Sequence, residues 1–189
     1  MDRGGERTAP AGVPAFVPTG GLLSAADVAR ALRRMAHEIA ERNPRLDDVS
    51  IIGVQRGGRP FAVTLGALLN EIGALSVPVG LLDVALYRDD VSRSPLATPA
   101  PTTIDHDLTE RVVVLVDDVL FTGRTIRAAL NALSDWGRPR AIQLAVMVDR
   151  GHRELPIRAD FVGKNLPSAL DEVVVATLDG VGIGRRGAP

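Results

Sequence analysis

The chain has 189 residues, of which 46% are hydrophobic, and a formal net charge of -1. That is enough for one sizeable core, and the charge does not advertise nucleic-acid binding, although a basic face can sit within a neutral total. It contains no cysteine, which excludes a thiol nucleophile and any cysteine-built metal site; no apolar run approaches the roughly 20 residues of a membrane helix, so a cytoplasmic location is expected.

From Met1 to Gly21 the chain is rich in Gly, Pro, Ala and Thr without a period, which predicts a mobile tail and a fold that begins near Leu22. Ser24 with Asp27 marks a helix N-terminus, and Val28, Leu32, Met35, Ala36 and Ile39 recur at helical spacing, so a helix to about Arg42 is expected. Val49 to Val54 reads as a buried strand and Gln55 to Arg59 as a Gly-rich loop. Pro60 to Ile72 reads as a helix, with proline first and Gly73 beyond its end. Val77 to Tyr87 reads as a strand broken at Pro78, and Arg88 to Glu110, polar and proline-rich, as a mobile lid. Val112 to Val116 is the next strand, Thr125 to Trp136 a helix closed by Gly137 and Pro139, and Ala141 to Val148 a further strand. Asp149 to Pro167 is polar and irregular, and Glu172 to Leu178 reads as a terminal strand. The alternation predicts an α/β fold in one domain, residues 22–189, with a mostly parallel sheet flanked by helices.

Chemistry concentrates in VVVLVDDVLFTGRTIRAAL, Val112 to Leu130. An apolar strand delivers Asp117 and Asp118 to its carboxyl end, and Val119, Leu120 and Phe121 lead into Thr122, Gly123, Arg124 and Thr125 at a helix start. Backbone N–H groups, two hydroxyls and the helix dipole can converge there on a phosphate. Carboxylates would repel that phosphate, so the pair suits the vicinal hydroxyls of a ribose, and the inferred ligand is a sugar phosphate. The plainer alternative makes the acids helix caps and the glycine a turn residue. The loop Gly53 to Arg59, including Gln55, Arg56, Gly57 and Gly58, follows the first strand and should face this one. Its glycines allow close approach of an anion that Arg56 or Arg59 could neutralise; otherwise it is a flexible turn with a solvated arginine. On the first helix Arg30, Arg33, Arg34 and His37 share the side opposite the apolar stripe, a face that suits solvent or a phosphate backbone.

The acidic pair, its spacer and the Thr-Gly-Arg-Thr loop resemble the phosphoribosyl pyrophosphate (PRPP) binding motif of type I phosphoribosyltransferases. LDVALYRDD, Leu82 to Asp90, DDVLFTGRT and the segment DRGHRELPIRADFVGKN, Asp149 to Asn165, narrow the resemblance to the bacterial pyrimidine operon regulators that are also uracil phosphoribosyltransferases. It runs from about Ser24 to Asn165. The resemblance implies the type I fold with a flexible lid at about 88–110 and a small hood at about 149–167. The implied reaction is uracil plus PRPP giving UMP plus pyrophosphate with Mg²⁺ held mainly through PRPP, and the implied regulatory partners are UMP or UTP and pyrimidine-gene mRNA leaders. Asp117 and Asp118 would anchor the ribose, residues 122–125 the 5′-phosphate and residues 53–59 the pyrophosphate, while Arg88 would close over the site. RNA-binding positions of the family stand here as Arg34, His37, Arg42, His152, Arg158 and Lys164.

Phe121 occupies a position that is aspartate in resembling hypoxanthine-type enzymes, and it cannot handle a purine proton. Two departures stand out. Many relatives have Thr-Arg-Gly in the pyrophosphate loop where this chain has Gln55-Arg56-Gly57-Gly58, and many continue after the asparagine with Pro-Thr-Ser-Arg-Ser-Glu where this chain has Leu166 to Glu172, LPSALDE. A purine or pyrimidine salvage enzyme without RNA function, and a catalytically weak RNA-binding nucleotide sensor, are the alternatives at this stage. The expected assembly is a homodimer or higher homo-oligomer, with no membrane association.

Overall fold

The computed structural model describes residues 16–87 and 100–186. β1 (Phe16–Ser24) runs directly into α1 (Ala25–Arg42). The Ser24 hydroxyl accepts the Asp27 N–H at 3.3 Å, and the Asp27 carboxylate accepts the Ser24 N–H at 2.9 Å, a reciprocal cap that fixes where the helix starts. Val28, Leu32, Met35, Ala36 and Ile39 are buried, while Arg30, Arg33, Arg34 and His37 are exposed, as the spacing predicts. Next come β2 (Val49–Val54), α2 (Gly58–Gly73) and β3 (Val79–Leu82). They are followed by β4 (Val112–Leu120), α3 (Arg124–Leu133) and β5 (Ala141–Asp149). β6 (Phe161–Asn165), β7 (Glu172–Thr177) and β8 (Gly180–Arg186) complete the described chain.

Five strands form one parallel sheet in the order β3-β2-β4-β5-β6. Alternate residues of the central strand serve opposite faces: Val112, Val114 and Val116 pack with α1 and α2, Val113 and Leu115 with α3. Covering both faces explains why these strands read as unbroken apolar runs. From β2 the chain steps outward to β3 and then returns to the other side of β2 as β4. The loops after β2 and β4 therefore diverge at the carboxyl edge and leave a crevice between them, the usual ligand position in open parallel sheets.

Several expectations change. Phe16–Ser24 is a strand that pairs antiparallel with β8, so the fold begins before Leu22 and the expected tail to Gly21 is too long; Met1 to Ala15 lie outside the described residues. Pro18, Gly20 and Gly21 hide the strand, because its register shifts between Pro18 and Gly20 and again between Gly21 and Leu23, which destroys simple alternation. With β8 and β7 it forms a second, antiparallel sheet, whose Val174, Ala176 and Val181 join the α1 and α2 core. The strand expected over Val77 to Tyr87 is only Val79–Leu82, followed by a 3₁₀ turn at Ala85–Tyr87. Of the expected lid, residues 88–99 lie outside the described residues. Its remainder is a docked arm rather than a free flap, since Thr103 bridges Leu81 and both Ile104 and Leu108 are buried. Of the expected hood, Phe161–Asn165 belongs to the main sheet as its edge strand.

Candidate functional site

The two loops that flank the crevice touch. A Cβ atom at Gly57 would lie 2.2 Å from Oδ2 of Asp118, and one at Gly58 would lie 2.1 Å from the Val116 carbonyl oxygen. Only glycine fits at either place, so the loop after β2 is pressed against the acidic end of β4. Asp117 is buried at 5% exposure and Asp118 is half-buried. The Asp118 N–H donates to Oδ1 of Asp117 at 3.0 Å, and the Val119 N–H donates to Oδ1 of Asp118 at 2.7 Å. The acids are thus held at the strand end rather than used as caps of α3, whose N-cap residue is Gly123. The Gln55–Arg56 peptide is cis. Arg56 and Arg59 are both exposed, whereas the Gln55 side-chain amide donates to the Pro101 carbonyl at 2.6 Å.

The segment after β4 turns its backbone donors to one side and its acceptors to the other. Gly123 has φ 93°, a left-handed conformation that suits glycine, and it turns the strand into α3. The first intrahelical bond runs from the Arg127 N–H to the Gly123 carbonyl at 2.9 Å, so the amides of Thr125 and Ile126 precede it and point from the positive end of the helix. The carbonyls are drawn to the other side. Glu154 and Leu155 N–H groups donate to the Thr122 carbonyl at 3.0 and 3.2 Å. Arg153 Nη1 donates to the Phe121 carbonyl at 2.7 Å, and Arg124 pairs with Glu154 at 2.7 Å. Arg124 therefore braces the loop from outside. With the acceptors occupied in this way, the donors dominate the crevice side.

Nothing in the sequence alone sets Arg150 or Arg153 apart from the other arginines. Arg150 is only 6% exposed. It donates to Ser168 Oγ at 2.9 Å, the Glu172 carbonyl at 2.9 Å and the Ala169 carbonyl at 2.6 Å. Its guanidinium also stacks on the Phe121 ring, 4.2 Å from the centroid. His152 meets the same ring edge-on with centroids 6.0 Å apart, and its Nε2 contacts the Ser168 carbonyl. Phe121 and Arg150 border a cleft of about 660 Å³ that also includes Leu170 and Glu172. An apolar ring with a cation fixed behind it makes a flat wall for a heterocyclic base. The signal in the sequence was the DRGHR string, but nothing in it showed that its first arginine is buried.

The proposed RNA residues fall into two groups. Arg34 donates to the Val162 and Gly163 carbonyls, both at 2.9 Å, and pairs with Glu38 at 2.6 Å. Arg42 pairs with Asp160 at 3.0 Å and lies over the Phe161 ring. These contacts bring the outer side of α1 against β6, which carries the exposed Lys164. His37 is exposed on the same helix, and Arg158 is exposed on the segment before β6. His152 makes its contacts at Phe121 and Ser168 instead. Arg88 lies outside the described residues.

Among the described residues no three His, Asp or Glu side chains converge in a metal cage, and none of the helices is long and apolar enough to cross a membrane. Mg²⁺ is a hard ion that takes oxygen ligands, and the Asp117/Asp118 carboxylates offer that donor chemistry beside the start of α3.

The Phosphoribosyl transferase domain family model matches residues 18–177. The bifunctional protein PyrR of Roseiflexus sp. is 56% identical over 167 residues, covering 88% of this chain and 91% of its own. That of Herpetosiphon aurantiacus is 62% identical over 154 residues, covering 81% and 86%. Among solved structures, a hypoxanthine-guanine phosphoribosyltransferase of Bacillus anthracis matches with TM-score 0.70 at 18% identity, over 88% of this chain and 98% of that one. This last likeness shows the fold.

Proposed function

Because the chain belongs to the phosphoribosyl transferase domain family, and within it to the bifunctional PyrR proteins, we propose that it makes UMP from uracil and PRPP and regulates pyrimidine biosynthetic genes by uridine-nucleotide-dependent binding to their mRNA. The observation that carries the catalytic part is the acidic pair at the end of β4, held against Gly57 and Gly58 and followed at once by the donor-rich start of α3.

Each part of PRPP then has a partner. Asp117 and Asp118 hold the ribose hydroxyls, residues 122–125 hold the 5′-phosphate, and the loop Gln55–Gly58 with Arg59 faces the pyrophosphate. The C1–O bond to pyrophosphate breaks, the C1–N1 bond to uracil forms, and the N1 proton is released. Charge develops on the ribose ring and the leaving group, so catalysis here is positioning and electrostatic stabilisation. Mg²⁺, carried mainly by PRPP oxygens, would supply charge neutralisation on the leaving group. Uracil belongs against Phe121, a flat wall without the proton acceptor that a purine substrate would call for. We infer a cytoplasmic site of action for the same nucleotide chemistry.

Steady-state assays with PRPP, Mg²⁺ and each of uracil, hypoxanthine and guanine test this reading. The expected result is Mg²⁺-dependent formation of UMP with strong preference for uracil. Faster turnover of either purine overturns the substrate assignment.

A further inference from the structure

We propose that Gln55 is a positioning residue that ties the pyrophosphate loop to the arm Ala100–Thr103, so that filling the crevice is relayed to the chain beyond β3. The inference rests on the PRPP reading above and adds a route from the bound diphosphate to a segment outside the crevice. One amide hydrogen of Gln55 is committed to the Pro101 carbonyl at 2.6 Å, while its backbone N–H donates to the Leu82 carbonyl at 2.8 Å. The side chain therefore spans from the end of β2 to the arm rather than turning to the ligand.

The arm is itself well defined. Leu81 and Thr103 exchange backbone hydrogen bonds of 2.9 and 2.8 Å. The Asp83 carboxylate collects the N–H groups of Ala85 at 2.9 Å and Ala100 at 2.5 Å, and the Asp83 N–H donates to Thr102 Oγ1 at 3.0 Å. One carboxylate thus gathers the chain leaving β3 and the chain returning. On the opposite side, Gly57 and Gly58 abut Asp118 and the Val116 carbonyl with no room to spare. β4 is a central strand and yields little, so a displacement of Arg56–Gly58 by an incoming anion passes to the softer side. Gln55 joins that side to the arm.

Hydrogen exchange of the full chain, with and without PRPP and Mg²⁺, tests the relay. In the unaltered protein PRPP should slow exchange at Gly57, Gly58 and Thr125, and also at Leu81 and Thr103. Gln55→Leu keeps the shape but removes the donor. It should retain the slowing at Gly57, Gly58 and Thr125, lose it at Leu81 and Thr103, and raise KM for PRPP by about three- to tenfold with a smaller change in kcat, the size expected for one net hydrogen bond. Gln55→Lys keeps a donor of similar reach and should restore the slowing at Leu81 and Thr103. Slowing at Leu81 and Thr103 that persists undiminished in Gln55→Leu overturns the relay. Absence of slowing at Gly57, Gly58 and Thr125 in the unaltered protein overturns the PRPP reading itself, and the relay with it.

Discussion

Gly57 and Asp118 are in van der Waals contact across the crevice: a methyl group on Gly57 would begin 2.2 Å from the Asp118 carboxylate. The loop after β2 and the acidic end of β4 are therefore one unit. Gly57→Ala should displace either the loop or the acid by the order of an ångström, which costs about a hundredfold in rate when a reacting group is misplaced by that much. The helix and sheet content should be unchanged by circular dichroism, because the residue precedes α2 and belongs to no strand.

Asp118→Asn tests the charge without the shape. Side-chain volume is conserved and the Val119 N–H retains an oxygen acceptor, so the fold should persist while UMP synthesis falls by about two orders of magnitude or more. Rates measured at saturating uracil over a range of PRPP concentrations would show the loss; turnover within a few-fold of the unaltered protein would remove Asp118 from the ribose.

These two residues also mark how far the sequence could be read. The acidic pair, the spacer and the Thr122–Thr125 loop are contiguous, so their spacing alone places them at one strand end. Four strands of the main sheet, β2 to β5, follow from the same local alternation of apolar strands and helices, whereas β6 lies in a stretch that reads as polar and irregular. Contacts between distant segments were not legible. β1 exists because it pairs with β8 near the other end of the chain, and its proline and two glycines give no period to detect. Arg150 reads as one arginine among many until the loop Ser168–Glu172 folds over it. Gln55 reads as one member of a Gly-rich loop, because its partner Pro101 lies 46 residues on in a stretch with no regular structure.

Arg150→Met should damage stability and base recognition together. Three acceptors lose their donor, and Phe121 loses the cation stacked on its ring. Losing hydrogen bonds from a buried charged group costs about 2–4 kcal/mol, or a fall of roughly 5–15 °C in Tm for a chain of this size. KM for uracil should rise more than KM for PRPP, since the loop at residues 122–125 is braced by Arg153 and Glu154 instead. Calorimetry and the two KM values together check this, and an equal rise in both would detach Arg150 from the base side.

Tyr87 is the one tyrosine of the chain, and its hydroxyl donates to the Asp135 carboxylate. That bond holds the phenol above its ordinary ionisation range, with smaller contributions from burial and from the charge of Asp135. The folded value lies above the unfolded one. The contact therefore contributes fully below the usual tyrosine range near about 10 and is lost as pH rises through the raised folded value. Ultraviolet titration of the intact protein should show phenolate appearing later than in the unfolded chain. Asp135→Asn should move the transition back down, and an identical midpoint in the two proteins would mean that the pair does not form in solution.

RNA binding separates residues that the sequence alone treated alike. The Lys164 and His37 side chains are exposed and enter no hydrogen bond or ion pair among the described residues, whereas Arg34 also fastens α1 to the carbonyls of Val162 and Gly163 and pairs with Glu38. Lys164→Gln and His37→Ala should weaken binding to a pyrimidine-gene leader and leave Tm and UMP synthesis unchanged. Arg34→Gln should weaken binding and also lower Tm by roughly 1–4 °C, the return of about 1 kcal/mol of exposed hydrogen bonding. Each lost phosphate contact should reduce the slope of log affinity against log salt by about one. UMP should tighten binding if it favours the RNA-competent state, since a ligand shifts an equilibrium only by its difference in affinity for the two states. Filter-binding titrations at several salt concentrations, with and without UMP, would measure all of these. No leader-specific binding at any salt would leave the catalytic activity as the whole function, and a parallel loss of UMP synthesis in Lys164→Gln and His37→Ala would show that α1 and β6 support the crevice rather than an RNA.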